Sequence, residues 1–316
     1  MAADVSIRPA RSADELSAVL EVSRCVSGDP LPAVAELEDV LATERGSIFL
    51  LGYQRDEPAA SGVGKVSSLV GCLFAMVRVL PEYRRRGVGE AMYSALSAHA
   101  RSVGRRELFG RVREDDGGSM SAVQARGFRG IGRDFLVVLD LAKPSASPGP
   151  SPAGIEITNL AERPDLMRAA WEVEVESAPD IPTEGGIEAW PFERWRSTVL
   201  DSPTALPEAA MVAVADGEVV GSAFLSALSA GAAEHGLTAV RRAWRGRGIA
   251  TALKRAQIEW ARAAGYTELH TSNDETNFAM RGINARLGYD PAPVYVMVRG
   301  PLAELAGTVP ERGLSQ

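Results

Sequence analysis

Apolar positions along the chain switch between a period of two and a period near 3.6, and they run through the same succession twice. Val5 and Ile7 alternate with polar neighbours and lead into residues 13–20, whose first turn carries Asp14 and Glu15; Ile155 and Ile157 lead in the same way into residues 164–171. Each opening predicts a short strand followed by a helix. Residues 210–215, the turn Asp216-Gly217 and residues 218–225 then form a hairpin pattern, with a third strand at 234–240. In the first half, residues 48–53 and 69–80 read as strands and the Pro- and Gly-rich stretch between them as a long connection. Val88, Ala91, Met92, Ala95, Leu96, His99 and Val103 mark one face of a helix; Ile249, Ala252, Leu253, Ala256, Trp260 and Ala264 repeat the stripe. Gly104 and Gly265 follow where a helix ends in a left-handed residue, and further strands open at Leu108 and Leu269 and close each half at 134–139 and 293–298. The expected class is α+β, each half a mixed, mostly antiparallel sheet flanked by helices.

The repetition holds register. Arg84-Arg85-Arg86-Gly87-Val88-Gly89 and Arg245-Gly246-Arg247-Gly248-Ile249-Ala250 both fit Arg-x-x-Gly-x-Gly/Ala and lie 161 residues apart. Val79 and Val240, Arg101 and Arg262, Glu107 and Glu268, and Gly127-Phe128 and Gly288-Tyr289 share that spacing. Two copies at so long a period indicate tandem domains rather than a solenoid. Residues 143–154, rich in Pro, Ser and Gly, read as a semi-rigid linker between a domain at 1–142 and another at 155–316. The openings of the halves are 150 residues apart, so the second carries about eleven extra residues, assigned to the region of 177–195. Trp190 and Trp195 there either wall a substrate site or pack a helix onto the core; Asp180, Glu184 and Glu188 either attract a cationic amine or are simply solvated.

Composition narrows the field. A length of 316 residues suits about two domains, and 41 acidic against 34 basic residues, net −7, argue against general nucleic-acid binding. The two cysteines, Cys25 and Cys72, both fall in the first half, and neither a secretory h-region nor an apolar run of about 18 residues is present. The expectation is a soluble, reduced, cytoplasmic protein, monomer or homodimer, with no membrane or nucleic-acid partner. Cys and His spacing suggests no metal site.

A strand that turns through Arg-x-x-Gly-x-Gly/Ala into a helix presents unbonded amides and the positive end of the helix dipole to an anion, the requirements of a phosphate site. Other phosphate motifs fit poorly. Around Gly62-Val63-Gly64-Lys65, Ala59 stands at the first glycine of a Walker loop and Val66 at its Ser/Thr; Met92 and Thr251 stand at the third glycine of the dinucleotide fingerprint.

These runs, each followed by a strand and then Gly-Phe or Gly-Tyr, resemble motifs A and B of the GNAT superfamily of acyl-CoA-dependent N-acyltransferases, and the whole chain resembles a tandem GNAT arrangement. The resemblance implies that acetyl-CoA, as acyl donor, lays its pyrophosphate on the turns Arg245, Gly246, Arg247, Gly248, Ile249 and Ala250, and Arg84, Arg86, Gly87 and Gly89. It also implies that the strand before each motif splays from the next. Asn273, Asn277, Met280, Asn284 and Leu287-Gly288-Tyr289 resemble the family's Asn-rich motif B, whereas Val112, Asp116, Ser119 and Val123 depart from it and Gly117-Gly118 breaks the helix. The second half is therefore expected to be catalytic and the first degenerate. Glu234, with His235 beside it, is the candidate base, ahead of Asp274 and Glu275, and the Val240 amide the candidate for polarising the thioester carbonyl. The family's acid tyrosine is replaced by Asn284, leaving Tyr289, Tyr295 or water to protonate the thiolate. The implied reaction is direct acetyl transfer in a ternary complex to the amine of a small molecule or peptide; a silent acyl-CoA sensor or scaffold is the alternative.

Overall fold

The computed structural model describes residues 5–27, 31–143, 152–184, 186–228 and 231–304. The first half contains β1 (Val5–Pro9), α1 (Ala13–Val26), α2 (Val34–Thr43), β2 (Ile48–Gln54), β3 (Glu57–Val66), β4 (Cys72–Val79), α3 (Val88–Ser102), β5 (Glu107–Arg113), α4 (Gly117–Gln124) and β6 (Arg129–Asp140). The second contains β7 (Glu156–Asn159), α5 (Met167–Ser177), α6 (Phe192–Val199), β8 (Met211–Ala215), β9 (Glu218–Ala227), β10 (Ala232–Val240), α7 (Ile249–Ala263), β11 (Glu268–Asp274), α8 (Phe278–Leu287) and β12 (Asp290–Pro301). The repeated α+β pattern is borne out. No described helix is long and apolar enough to cross a membrane. Most of the Pro/Ser stretch, residues 144–151, lies outside the described residues.

Strand alternation decides what each helix covers. In β2, Leu50 faces α3 with Met92 and Leu96, while Phe49 and Leu51 face α1 with Leu16 and Leu20. In β8, Ala213 and Ala215 face α7, and Val212 and Val214 face α5 and α6. Each half is thus a sheet buried on both sides. Ser12 caps α1 through a capping box with Glu15, which holds the Glu15 carboxyl below its usual range through hydrogen bonds from the Ser12 and Arg11 amides.

All strands join one sheet, in the order β1-β2-β3-β4-β5-β12-β6-β11-β10-β9-β8-β7. The closing strands have changed places. β12, from the second half, pairs with β5 of the first, from Tyr295 opposite Arg113 to Pro301 opposite Glu107. β6, from the first half, pairs with β11 of the second, from Glu268 opposite Asp140 to Asp274 opposite Asp134. β6 and β12 pair with each other at the centre. Arg299 on β12 is ion-paired with Glu107 on β5, and the Tyr93 hydroxyl on α3 donates to the Pro301 carbonyl at 2.9 Å. The covalent boundary between the halves is therefore no boundary in the sheet.

Two local readings are corrected. The Pro- and Gly-rich stretch after β2 is the central strand β3, joined by a tight turn at Arg55 and Asp56, both at positive φ. Its glycines serve packing, since a Cβ on Gly62 would stand 2.5 Å from the Met92 sulfur of α3, so the stretch looks like a loop by composition while pairing as a strand with both β2 and β4. Nor does the Gly117-Gly118 pair break a helix. It forms the first turn of α4, where the Asp116 carboxylate accepts from the Ser119 amide at 2.9 Å and offsets the glycines' poor propensity.

Candidate active site

Both glycine turns form as expected. Gly87 and Gly248 are the N-caps of α3 and α7 at φ 88° and 82°, in the left-handed region where a side chain is strained. The leading arginine of each motif folds back on its own strand: Arg84 Nε donates to Val79 O at 3.1 Å and Arg245 Nε to Val240 O at 2.9 Å. These guanidiniums are therefore staples of the turn, and the donors it leaves free are the first-turn amides. Arg242 and Arg245 also clasp Asp180, whose carboxyl is held at about 2 by hydrogen bonds from Arg242 first and Arg245 second. Glu184 is paired with Arg129 of β6. Of Asp180, Glu184 and Glu188 in the extra segment, the first two are thus already ion-paired. Trp195 is buried between Phe192 and Phe224, with its indole N–H on Glu174 at 2.8 Å, and so packs α6 onto the core. That burial pushes the Glu174 carboxyl up to about 7. Ile181, Pro182, Thr183 and Ile187 of the same segment do wall a cleft.

The cleft, of about 960 Å³, opens where β10 parts from β11. These parallel strands pair only from Ala232 opposite Glu268 to Glu234 opposite His270. Beyond Glu234 the register of β10 against β9 slips between His235 and Thr238, a bulge that bends the strand away from β11. Gly236 and Leu237 of the bulge, Thr238, Ala239 and Val240 line one wall; Thr271, Ser272 and Asn273 of β11 line the other; Gly246, Gly248 and Ala250 lie at the mouth with Asn277. The Arg241 amide donates to Val220 of β9, so by alternation the Val240 amide points into the cleft.

Beside the cleft, the face of the sheet away from α7 carries polar groups. Glu234 and His270 share it, as do Asp134 and Asp274, which are register partners across β6 and β11. Asp134 lines the cleft, and burial raises its carboxyl against opposing contributions from a Ser272 hydrogen bond and from Arg111. Burial likewise raises Glu234, with Arg111 and then His270 acting against it. Glu234 stands behind the cleft wall, at the apex where the strands part. Arg111 of β5 stacks on Tyr295 of β12 at 4.6 Å. Of these groups Arg111 and Asp134 come from the first half, brought here by the exchange.

The α7 face is polar too, although it lies inside the core. The Tyr289 hydroxyl lies 2.5 Å from His235 Nε2; His235 Nδ1 lies 2.9 Å from Gln257 Oε1; and Gln257 Nε2 donates to Ala209 O at 3.0 Å. The last bond orients the amide, so Nδ1 carries the imidazole proton and the phenol donates to Nε2. Burial, and then the charge of Lys254, keep His235 neutral, and burial raises the Tyr289 phenol. Tyr289 thus points away from the cleft. Asn284 is buried and donates to Asn273 Oδ1 at 2.6 Å, holding the end of β11. Asn277 caps α8, accepting from the Met280 amide at 3.2 Å, whereas Asp274 accepts from Thr276.

Of the residues expected from sequence, the structure gathers Arg245, Gly246, Gly248, Ile249, Ala250, Val240, Asn273 and Asn277 around one cleft, turns the Arg247 side chain onto Trp244, sets Glu234 at the apex, and leaves Asn284 and Tyr289 behind it. Sequence reasoning missed Asp134, Arg111 and Lys254. No periodicity signals a strand exchange; the signal for Lys254 is its place, with Gln257, as a polar residue on the buried face of Ile249, Leu253, Ile258 and Ala261.

A mixed sheet opened between two parallel neighbours, with a glycine turn and helix N-terminus at the mouth, defines the class as an acyltransferase fold. The chain matches the acetyltransferase (GNAT) family over residues 20–128 and again over 168–289, and it belongs to that family. Among solved structures it resembles a GCN5-related N-acetyltransferase from Sphaerobacter thermophilus, at 22% identity over 95% of this chain and 96% of that one, TM-score 0.75. It also resembles a tandem GNAT protein from the clavulanic acid biosynthesis pathway (20% identity, 96% and 100% covered, TM-score 0.76) and a GNAT-family acetyltransferase from Colwellia psychrerythraea (14%, 94% and 100%, 0.57). At such identities the likeness is one of fold. Comparison with curated proteins returns no match.

Proposed function

We propose that the protein is an acetyl-CoA-dependent N-acetyltransferase whose working cleft lies in the second half, and that an amine, bound as its ammonium and deprotonated there, attacks directly in a ternary complex. The observation that carries this reading is that the cleft passes through the sheet at the β10 bulge, with helix-terminal amides on one side and buried carboxylates on the other. The amides of residues 247–250 suit a pyrophosphate, and the inward Val240 amide suits the thioester carbonyl. Asp134 and Asp274, from neighbouring strands, suit an ammonium; Asp134, its carboxyl raised by burial, takes the proton that makes the amine nucleophilic, with Glu234 behind it. The acceptor class is therefore a basic small molecule or peptide amine. In the first half the register pair that corresponds to Glu234 and His270 is Phe74 and Phe109, whose rings meet edge to face at 5.8 Å, which favours a structural role there.

Incubating the protein with acetyl-CoA and a panel of polyamines, amino sugars and basic peptides, and following CoA release, tests the proposal. Turnover that favours polycationic acceptors is expected. Tight acetyl-CoA binding without turnover on any amine would make the protein a sensor instead.

A further inference from the structure

Lys254 is 1% exposed, on the buried face of α7. Its side chain lines the cleft, and among the described residues it forms no ion pair or hydrogen bond; Nζ lies 5.5 Å from the centroid of the Tyr289 ring. That contact fixes its depth. Tyr289 is bonded to His235, and His235 starts the bulge at which β10 leaves β11, so the ammonium sits near the apex of the wedge rather than at the mouth beside Gly248. The titratable groups facing it are His235 from β10 and Tyr289 from the turn after α8; Glu234 and His270 leave β10 and β11 on the opposite face. A buried cation without a counter-anion costs several kcal/mol and persists only where something other than stability requires it.

The duplication supplies an internal control. At the offset of 161, Lys254, Gln257 and Tyr289 correspond to Tyr93, Leu96 and Phe128, and no histidine occupies β4. Tyr93 and Phe128 pack edge to face at 6.0 Å on the same helix face of the first half. The fold is completed there by aromatic and aliphatic groups, so it does not require the polar set found in the second half.

Resting on the acyl-CoA reading above, we propose that Lys254 is a catalytic residue, the proton donor to the CoA sulfur. Once Asp134 has passed the proton taken from the ammonium to solvent, the neutral amine adds to the thioester carbonyl and loses its second proton to Asp134, and the C–S bond breaks with its electron pair on sulfur. The Lys254 ammonium gives that sulfur a proton, leaving CoA thiol, the N-acetyl product, neutral lysine and protonated Asp134. Solvent then returns the proton to lysine and removes the one on aspartate. The absence of a tyrosine where Asn284 stands, the engagement of Tyr289 with His235, and the placing of Tyr295 opposite Asp134 on the other face of the sheet leave this role to the lysine. Burial lowers Lys254 to about 7, which suits a group that must hold and release a proton near neutrality.

The test needs no acceptor. CoA is bound to wild-type protein and to Lys254→Met, and the thiolate absorbance of the bound thiol is titrated; calorimetry of CoA binding verifies that each protein is folded and occupied. Methionine replaces a buried cation with an apolar chain of similar length, so the variant is expected to fold. In wild type the bound thiol should ionise at least one pH unit below free CoA, equivalent to tenfold preference for the thiolate, and in Lys254→Met that shift should vanish while CoA affinity at low pH changes less than threefold. An equal shift in both proteins, or none in wild type, overturns the role of Lys254 and leaves the acyl-CoA reading standing. No binding of CoA to either protein overturns both.

Discussion

The two halves share a sheet plan and a glycine turn and differ at the strand that precedes the turn. β4 pairs with β3 without a register break, whereas β10 carries a bulge against β9. Unbulged, β4 stays against β5 past the last paired residues, so closely that a Cβ on Gly110 would meet the Ala75 carbonyl oxygen at 2.6 Å. Thr271 occupies the place of Gly110 in the second half and lines an open cleft. The residues at the apex differ accordingly: Phe74 and Phe109 close one notch, Glu234 and His270 flank the other. The same glycine turn thus stands beside close-set strands in one half and beside an open cleft in the other. What distinguishes the halves is one inserted residue in a strand, since it decides whether the turn opens onto anything.

The comparison can be broken most severely by separating the halves. Residues 155–316 expressed alone lack β6, the strand that lies between β11 and β12. They are expected to lose cooperative unfolding by circular dichroism and to aggregate on size exclusion, and co-expression with residues 1–142 should restore both. A monomeric, cooperatively folded C-terminal fragment would show that the exchange is dispensable.

Next in size is Gly248→Glu, which places bulk and negative charge at a left-handed N-cap. It should weaken acetyl-CoA binding at least 100-fold by calorimetry, while Gly87→Glu changes it less than threefold. The reverse result would move the site to the first half. Asp134→Asn should lower kcat on the order of 100-fold with acetyl-CoA affinity unchanged, the usual scale for a removed general base. Because Asp134 belongs to the first half in sequence, that result would also establish that the halves build one site.

Lys254→Met should be more heat-stable than wild type, with a pH-dependent margin. Lysine ionises at 10.5 when unfolded and at about 7 when buried here, so the unfolded state holds more protons between those values and wild-type stability falls as pH drops from 10.5 to 7. The advantage of methionine in thermal midpoint should be largest at or below pH 7 and smallest above 10.5. A smaller effect concerns Arg85, which holds φ 61° where the second half has Gly246 at 77°. Arg85→Gly should relieve that strain and stabilise by about 0.5–1 kcal/mol in chemical denaturation, with no change in acetyl-CoA binding.

Most of the fold was legible because local rules write it plainly: the capping box at Ser12, the Asp216-Gly217 hairpin, the helix stripes and the 161-residue offset. The misreadings came where composition and backbone part company. Gly62 and Gly64 mimic a loop because α3 presses on β3, and the glycine pair of α4 depends on a cap from Asp116. The site was half legible. Residues 245–250 advertise themselves by their glycine pattern, but Asp134 reaches the cleft only when its strand crosses to the other half, a long-range pairing that no window of sequence contains. The bulge left a trace as small as its cause: upstream of it the structural correspondence between halves slips by one residue, so that Glu234 matches Phe74 rather than Leu73.

The crossing of β6 and β12 also sets an order of events at the ribosome. β5 ends at Arg113 and its partner β12 ends at Pro301, so at synthesis rates of 5–20 residues per second the edge of β5 waits roughly 10–40 s for its neighbour. During that interval the nascent first half presents an unpaired strand of Glu107–Arg113, the kind of edge on which chains join one another. Slowing elongation after residue 142, or withdrawing the chaperones that cover such edges, should therefore harm the yield of this protein more than that of an acetyltransferase whose sheets close in sequence order.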